Sequence, residues 1–343
     1  MPDIAKKCAV LLTNLGGPEN LEAVESFLFD LFMDRDIIPI PLEGRLREPL
    51  ARFLARRRYQ KVRQRYQVIG QGSPLVKITN EQARALGESL RKSDLPVPVF
   101  SAMRYGHPQI SKIIKRLPET LQDLIVIPLF PHYCKATTGT TIKCLQQAVQ
   151  RHSRTFRTRV IEHFHEHPLF LEAMLETMRL GIQFLQDKID ELPFIVFCAH
   201  SVPLRFVKQG DPYIDHIEQN ARRLASLLNL PEGQWQVAYQ SQIGPIKWVG
   251  PRAEDVLERL GRDEQNGVLL VPISFVSDHL ETLYDMDIVL REVAKKAGIR
   301  WFHRVECFNT RPVFITFLNH LVRTELQALF EQRSEDRSQR SEL

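Results

Sequence analysis

Leu124-Ile-Val-Ile-Pro-Leu-Phe130 and Val268-Leu-Leu-Val-Pro-Ile-Ser-Phe275 are the stretches from which the fold is read. Each is apolar at consecutive positions, so both of its faces need cover, as in parallel strands packed between helices. Each also runs through a proline into a short apolar end, Val126-Ile-Pro-Leu-Phe130 in one and Val271-Pro-Ile-Ser-Phe275 in the other. Outward from these two segments, short β-branched runs alternate with longer stretches of helical periodicity, which predicts a doubly wound α/β fold. Strands are expected near 8–15, 98–103, 124–130, 159–164, 194–200, 236–240, 268–275 and 300–307. They fall into two sets of four, so two similar lobes are expected, each a four-stranded parallel sheet flanked by helices. The first lobe spans 1–165 and carries an insertion over 19–95. The second spans 166–332, beginning with a helix from about Pro168 to Lys188 and ending in a terminal helix to about Gln332. The polar tail 333–343 is expected to fray.

The chain has 343 residues, 43% hydrophobic and 25% charged, which excludes a disordered chain and exceeds what one core usually serves. No apolar run reaches the roughly 18 residues of a membrane span. Five scattered cysteines without a C-x-x-C pair argue against a disulfide framework, a zinc ribbon or a cysteine-ligated cluster, and for a reducing, cytoplasmic compartment. The net charge of +5 is a local matter. Nine cations and one anion between Arg45 and Arg65 make that stretch +8 and leave −3 for the remainder. With no reading motif for nucleic acid, an anionic small molecule or an anionic membrane surface is the partner class expected.

In such sheets ligands bind beyond the C-terminal ends of the strands. Gly16-Gly17-Pro18 lacks the spacing of a phosphate loop and reads as a tight turn. Glu162-His-Phe-His-Glu-His167 places imidazoles at alternate strand positions, which suits either a metal or a solvated strand end. His200 closes an apolar strand before Ser201 and Pro203, so its imidazole is delivered to the crevice, as a base or as a histidine bonded to backbone. Ser277-Asp-His-Leu-Glu281 opens a helix, with Ser277 or Asp278 as cap. Asp278, Glu281 and Asp285 share a face there, either solvated or held together by a cation. Lys135-Ala-Thr-Thr-Gly-Thr-Thr141 brings four hydroxyls to a helix start, as a cap or an anion site.

Asn14-Leu-Gly-Gly-Pro18, Gln71-Gly-Ser-Pro74, Arg104-Tyr105, Thr137-Thr-Gly139, Ala199-His-Ser-Val-Pro203, Gly210-Asp-Pro-Tyr213, Gln240-Ser-Gln-Ile-Gly-Pro245 with Trp248, and Ser277-Asp-His-Leu-Glu-Thr-Leu-Tyr284 occur in order over nearly the whole chain. Jointly they resemble the ferrochelatases. The resemblance implies two Rossmann-like lobes with a porphyrin cleft between them, and insertion of Fe²⁺ into protoporphyrin IX with release of two protons. It implies His200 and Glu281 as the catalytic and metal-binding pair, supported by Ser201, Asp278, His279 and Asp285. It also implies Leu15, Arg58, Tyr66, Arg104, Tyr105 and Trp248 around the porphyrin, and a lip over 31–65 by which the protein touches the inner face of a membrane. Fe²⁺ enters as substrate and no cofactor is held permanently. No [2Fe–2S] cluster is expected, because no cysteine follows Cys307.

The chemistry explains these residue types. A free-base porphyrin must surrender two pyrrole protons, so a base of near-neutral pKa must reach its centre, and histidine suits that task. An incomplete set of imidazole and carboxylate ligands lets the cation be handed on. Val289 stands where some relatives carry a further acid. Leu15 stands where coproporphyrin-using relatives tend to have tyrosine, which favours protoporphyrin IX over coproporphyrin III. A cobalt or nickel chelatase and a non-catalytic tetrapyrrole carrier are the remaining alternatives. The oligomeric state and the side from which iron enters are not readable from the sequence.

Overall fold

The computed structural model describes residues 7–36, 47–242 and 246–341. Its elements, in chain order, are β1 (Cys8–Gly16), α1 (Val24–Met33), α2 (Arg47–Val68), α3 (Leu75–Lys92), β2 (Val99–Tyr105), α4 (Ile110–Arg116), β3 (Asp123–Pro128), a π-turn (Lys135–Gly139) running into α5 (Thr140–Arg151), β4 (Arg157–Val160) and α6 (Pro168–Gln186). They continue with β5 (Phe194–His200), α7 (Leu204–Lys208), α8 (Tyr213–Leu227), β6 (Trp235–Gln240), α9 (Ala253–Arg262), β7 (Gly267–Val271), a π-helix (Glu281–Leu290), α10 (Arg291–Lys296), β8 (Trp301–Arg304) and α11 (Pro312–Ser341).

Two parallel four-stranded sheets result, ordered β2-β1-β3-β4 and β6-β5-β7-β8. The same strand order in each is the doubling read from the two apolar segments. Period-two alternation explains why those segments are apolar throughout. Val10, Leu12, Ile125 and Ile127 of the first sheet and Ile195, Phe197, Leu269 and Val271 of the second face one shared core, filled by Phe170 of α6 and Phe314 and Phe317 of α11. Their neighbours turn the other way. Ala9, Leu11, Leu124 and Val126 pack against α4 and α5, and Val196, Cys198, Val268 and Leu270 against α9 and α10.

Several strands end earlier than the apolar runs suggest. β7 stops at Val271 because Pro272 has no N–H to donate to the ladder, and Ile273 N–H then turns back to the carbonyl of Val271 at 2.8 Å. The terminal helix continues past Gln332 to Ser341, with no glycine or proline in that stretch to stop it. It is tied to the first sheet by Arg333 on Asp123, and to α3 by Asn319 Nδ2 donating to Ser89 Oγ at 2.9 Å. All five cysteines are free thiols, and burial pushes Cys8 and Cys134 up to about 12.

No helix among the described residues is long and apolar enough to cross a membrane. Of the expected lip, residues 37–46 lie outside the described residues. Its α2 shows Phe53 exposed, with Arg52 paired to Glu48 and Arg56 to Glu25.

Candidate active site

His200 is the last residue of β5, in register with Gln240 of β6. The apolar strand Phe194-Ile-Val-Phe-Cys-Ala199 is buried up to this point, and His200 is the first residue to emerge. Its Nδ1 lies 2.6 Å from the carbonyl oxygen of Ser201. A carbonyl only accepts, so Nδ1 carries the hydrogen and Nε2 presents a free lone pair in the neutral ring. Ser201 is itself fixed, its Oγ donating to the Val249 carbonyl at 2.7 Å.

The opposing wall is the π-helix. Its widened turn brings Glu281, Asp285 and Val289 to one side, where all three line the same cavity. His279 Nδ1 donates to the Ser277 carbonyl at 3.0 Å, and its Nε2 lies 3.1 Å from Glu281 Oε2. The imidazole thus holds this carboxylate at hydrogen-bond distance. Asp285 is pushed up to about 6 by burial first and by the neighbouring Glu281 second. Arg65, His200 and the Ser241 hydroxyl pull the other way. Arg65 Nη1 is 3.1 Å from Asp285 Oδ1.

Two cavities meet at these residues. The first, about 250 Å³, is walled mainly by apolar side chains, among them Leu75, Leu129, Phe206, Trp248 and Phe275. The second, about 460 Å³, is lined by Arg58, Lys61, Arg65, Tyr66, Arg252, Glu254 and Asp285. Leu15, Leu31, His200, His279 and Glu281 line both.

The structure thus brings His200, Glu281, His279, Asp285, Leu15, Trp248, Arg58 and Tyr66 together, drawn from both lobes. It places others elsewhere. Asp278 does not share the acidic face. It accepts from Thr282 Oγ1 and Asn309 Nδ2 and pairs with Arg304 at 3.2 Å, so it braces the loop. Neither Ser277 nor Asp278 caps the helix, because Thr282 Oγ1 accepts the His279 N–H and Ser277 Oγ accepts from Gln82. Arg104 and Tyr105 line neither cavity and converge on Asp34. Gly16 has φ +87°, and a Cβ there would meet the Tyr105 carbonyl oxygen at 1.8 Å, so the turn needs glycine for close strand approach. Thr137 and Thr140 donate their hydroxyls back to carbonyls of the preceding turn. Residues 243–245 of the Gln240–Pro245 motif lie outside the described residues.

The histidines at 163, 165 and 167 do not converge. His163 and His165 join His132 and His216 in a cluster with ring centroids 4.2–5.3 Å apart, whereas His167 caps α6 and faces His320. Among the described residues no group of three His, Cys, Asp or Glu side chains could hold a metal ion. Sequence reasoning missed Asp34, Arg252 and Glu254, and held Ser241 only as part of the Gln240–Pro245 motif. Arg65 was visible only as one more cation of the basic stretch, since its partner Asp285 lies 220 residues away.

A family model described as Ferrochelatase matches residues 7–326. The ferrochelatase of Trichodesmium erythraeum (strain IMS101) is 39% identical over 331 residues, covering 94% of this chain and 83% of the relative. That of Geotalea daltonii is 38% identical over 322 residues, covering 94% and 98%. Two solved structures share the fold at 13% identity. They are CbiX, the terminal enzyme for biosynthesis of siroheme in denitrifying bacteria, with TM-score 0.51 over 92% of this chain and 98% of that one, and SirB from Bacillus subtilis with Fe³⁺, with TM-score 0.50 over 95% and 98%.

Proposed function

The chain belongs to the ferrochelatase family, metal chelatases of the lyase class whose substrates are Fe²⁺ and a porphyrin, and from that premise we propose that it inserts Fe²⁺ into protoporphyrin IX, releasing two protons and forming protohaem. The observation that carries this reading is the meeting of an apolar cavity and a charged one at His200 and Glu281. A flat apolar macrocycle belongs in the first, and a hydrated cation belongs in the second, beside Glu281 and Asp285. The two must meet where both cavities are lined by the same side chains.

Each step then has a group for it. The His200 Nε2 lone pair, oriented by the Nδ1–H bond to Ser201, takes a pyrrole proton. His279, fixed to the Ser277 carbonyl through Nδ1, holds Glu281 at 3.1 Å, on the wall where the cation is met. Glu281 meets the cation, and with no group of three metal-ligating side chains among the described residues the set is too sparse to trap it. Leu15, Leu31 and Trp248 shape the macrocycle pocket. Arg58 and Lys61, in the charged cavity, are placed to meet carboxylates. Leu15 favours the vinyl-bearing substrate, since an apolar lining leaves an added carboxylate without a partner.

The test is anaerobic spectrophotometry with Fe²⁺ and either protoporphyrin IX or coproporphyrin III. Protohaem is expected to form faster than coprohaem, and the reverse order would reassign the substrate. His200→Ala is expected to lower turnover by about 10²-fold or more with the fold intact. Porphyrin that binds and is never metallated by the unaltered protein would identify a carrier instead.

A further inference from the structure

The charge network around Asp34 lies outside the two cavities and is more heavily built than a helix end requires. Asp34 closes α1 and is 8% exposed. Its Oδ2 accepts from Tyr105 Oη at 2.5 Å and from Arg104 Nη2, and its Oδ1 accepts the Asp36 N–H at 2.8 Å. The Arg104 guanidinium lies over the Tyr105 ring at 4.8 Å, and Phe27 of α1 meets that ring edge-on at 6.3 Å. Arg47, 2% exposed, grips the same end of α1 through the carbonyls of Phe32, Met33 and Asp34 at 2.9–3.2 Å. Two elements thus hold the C-terminal end of α1, and Arg104 and Tyr105 attach it to the edge strand of the first sheet.

What this end carries explains the effort. Phe27, Leu28 and Leu31 of α1 line the charged cavity, and Leu31, one turn before Asp34, lines both cavities. Beyond Arg47, the fastenings of this end include the buried pair Asp34–Arg104 and the exposed pair Asp36–Lys143. An exposed pair holds little, whereas a buried carboxylate with a charged and a neutral donor fixes a geometry. We propose that Asp34 is a positioning residue for the reaction: clasped by Arg104 and Tyr105, it sets the α1 wall, and Leu31 with it, over the junction where macrocycle and cation meet. The inference rests on the functional reading above. It gives Arg104 and Tyr105 a role that acts on the porphyrin through α1.

Asp34→Asn keeps the size and an acceptor for Tyr105 but removes the charge that Arg104 answers. Tyr105→Phe removes one hydroxyl and leaves the charge pair. In the purified full-length chain, Asp34→Asn is expected to raise the KM for protoporphyrin IX about tenfold, the scale of one charge-assisted hydrogen bond. Tyr105→Phe is expected to raise it about threefold. The KM for Fe²⁺ should stay within about twofold in both, since a loosened α1 changes the macrocycle wall and leaves Glu281 and Asp285 in place. Porphyrin titrations without metal should weaken in step. Lys143→Ala, which breaks only the exposed pair, should change neither KM. If Asp34→Asn fails to fold, Tyr105→Phe carries the test alone. An unshifted porphyrin KM in folded variants, or equal rises in both KM values, overturns the proposal. Failure of the unaltered protein to metallate any porphyrin would instead overturn the functional reading on which it rests.

Discussion

Asp285 shows what the site does to a single carboxyl. Burial and Glu281 raise it to about 6, against 3.8 in an unstructured chain, while Arg65 holds one of its oxygens at 3.1 Å. Below about 6 it is neutral, and above it is a carboxylate beside Glu281. If the carboxylate form assists the cation, the rate falls as pH drops through about 6, and Asp285→Asn should remove that limb from the pH–rate profile. A limb unchanged in the variant would assign the titration to another group. Stability moves the opposite way. An acid whose folded pKa is raised costs stability above that pKa, so Asp285→Asn should stabilise the fold at pH 7.5 by up to about 3 kcal/mol. The gain should fade as pH falls from 6 toward 4, as read by denaturant unfolding. His200 was legible in the sequence because a strand end delivers it. The state of Asp285 was not, since it depends first on burial in the folded cleft and only then on Glu281 and on Arg65 approaching from the insertion.

At the scale of elements, the strands themselves were readable, but where several of them stop and the type of the helix were not. Glu281 and Asp285, four apart, fit an α-helix as well as a π-helix, and only the widened turn adds Val289 to the same cavity wall. The loop before it misled for a similar reason. Asp278 has the chemistry of a cap, but Arg304 and Asn309, distant in sequence, claim it. The first turn was read correctly, because glycine's freedom is a property of the residue itself. Gly16→Ala must bring a methyl against the Tyr105 carbonyl at φ +87° and should cost roughly 3 kcal/mol or prevent folding. Gly210→Ala has a similar φ of +76° with nothing within 4 Å, and should cost only about 1 kcal/mol. Equal losses in chemical denaturation would show that φ alone, without strand contact, decides both.

At the scale of the molecule, the doubled sheet was legible from two apolar segments, but the seam between the lobes was not. His163 and His165, which follow β4, meet His216 of α8 across that seam, and His132, which follows β3, packs on His165. Asn220 of α8 joins them, accepting from His132 Nε2 at 3.1 Å and donating to the His165 carbonyl at 2.8 Å. His132 and His165 are each 1% exposed. The nearest acids are Glu166, 4.0 Å from His165 Nε2, and Asp211 and Asp215, which face His216. They do not offset burial and mutual repulsion, which lower His132 and His216 and bring His165 to about 4. An unfolded chain binds protons at these sites from pH 6.5 downward, whereas the folded seam refuses them. Stability is therefore full above pH 6.5 and is lost as pH falls toward 4, by about 3 kcal/mol for His165 alone. His165→Gln, which keeps a polar side chain at the seam and cannot be protonated, should flatten the loss of Tm between pH 6.5 and 4.5. Hydrogen exchange in the unaltered protein should show 131–135 and the start of α8 opening first over that range. A His165→Gln variant as acid-labile as the parent would move the sensitivity away from the seam, to the carboxylates paired elsewhere in the fold.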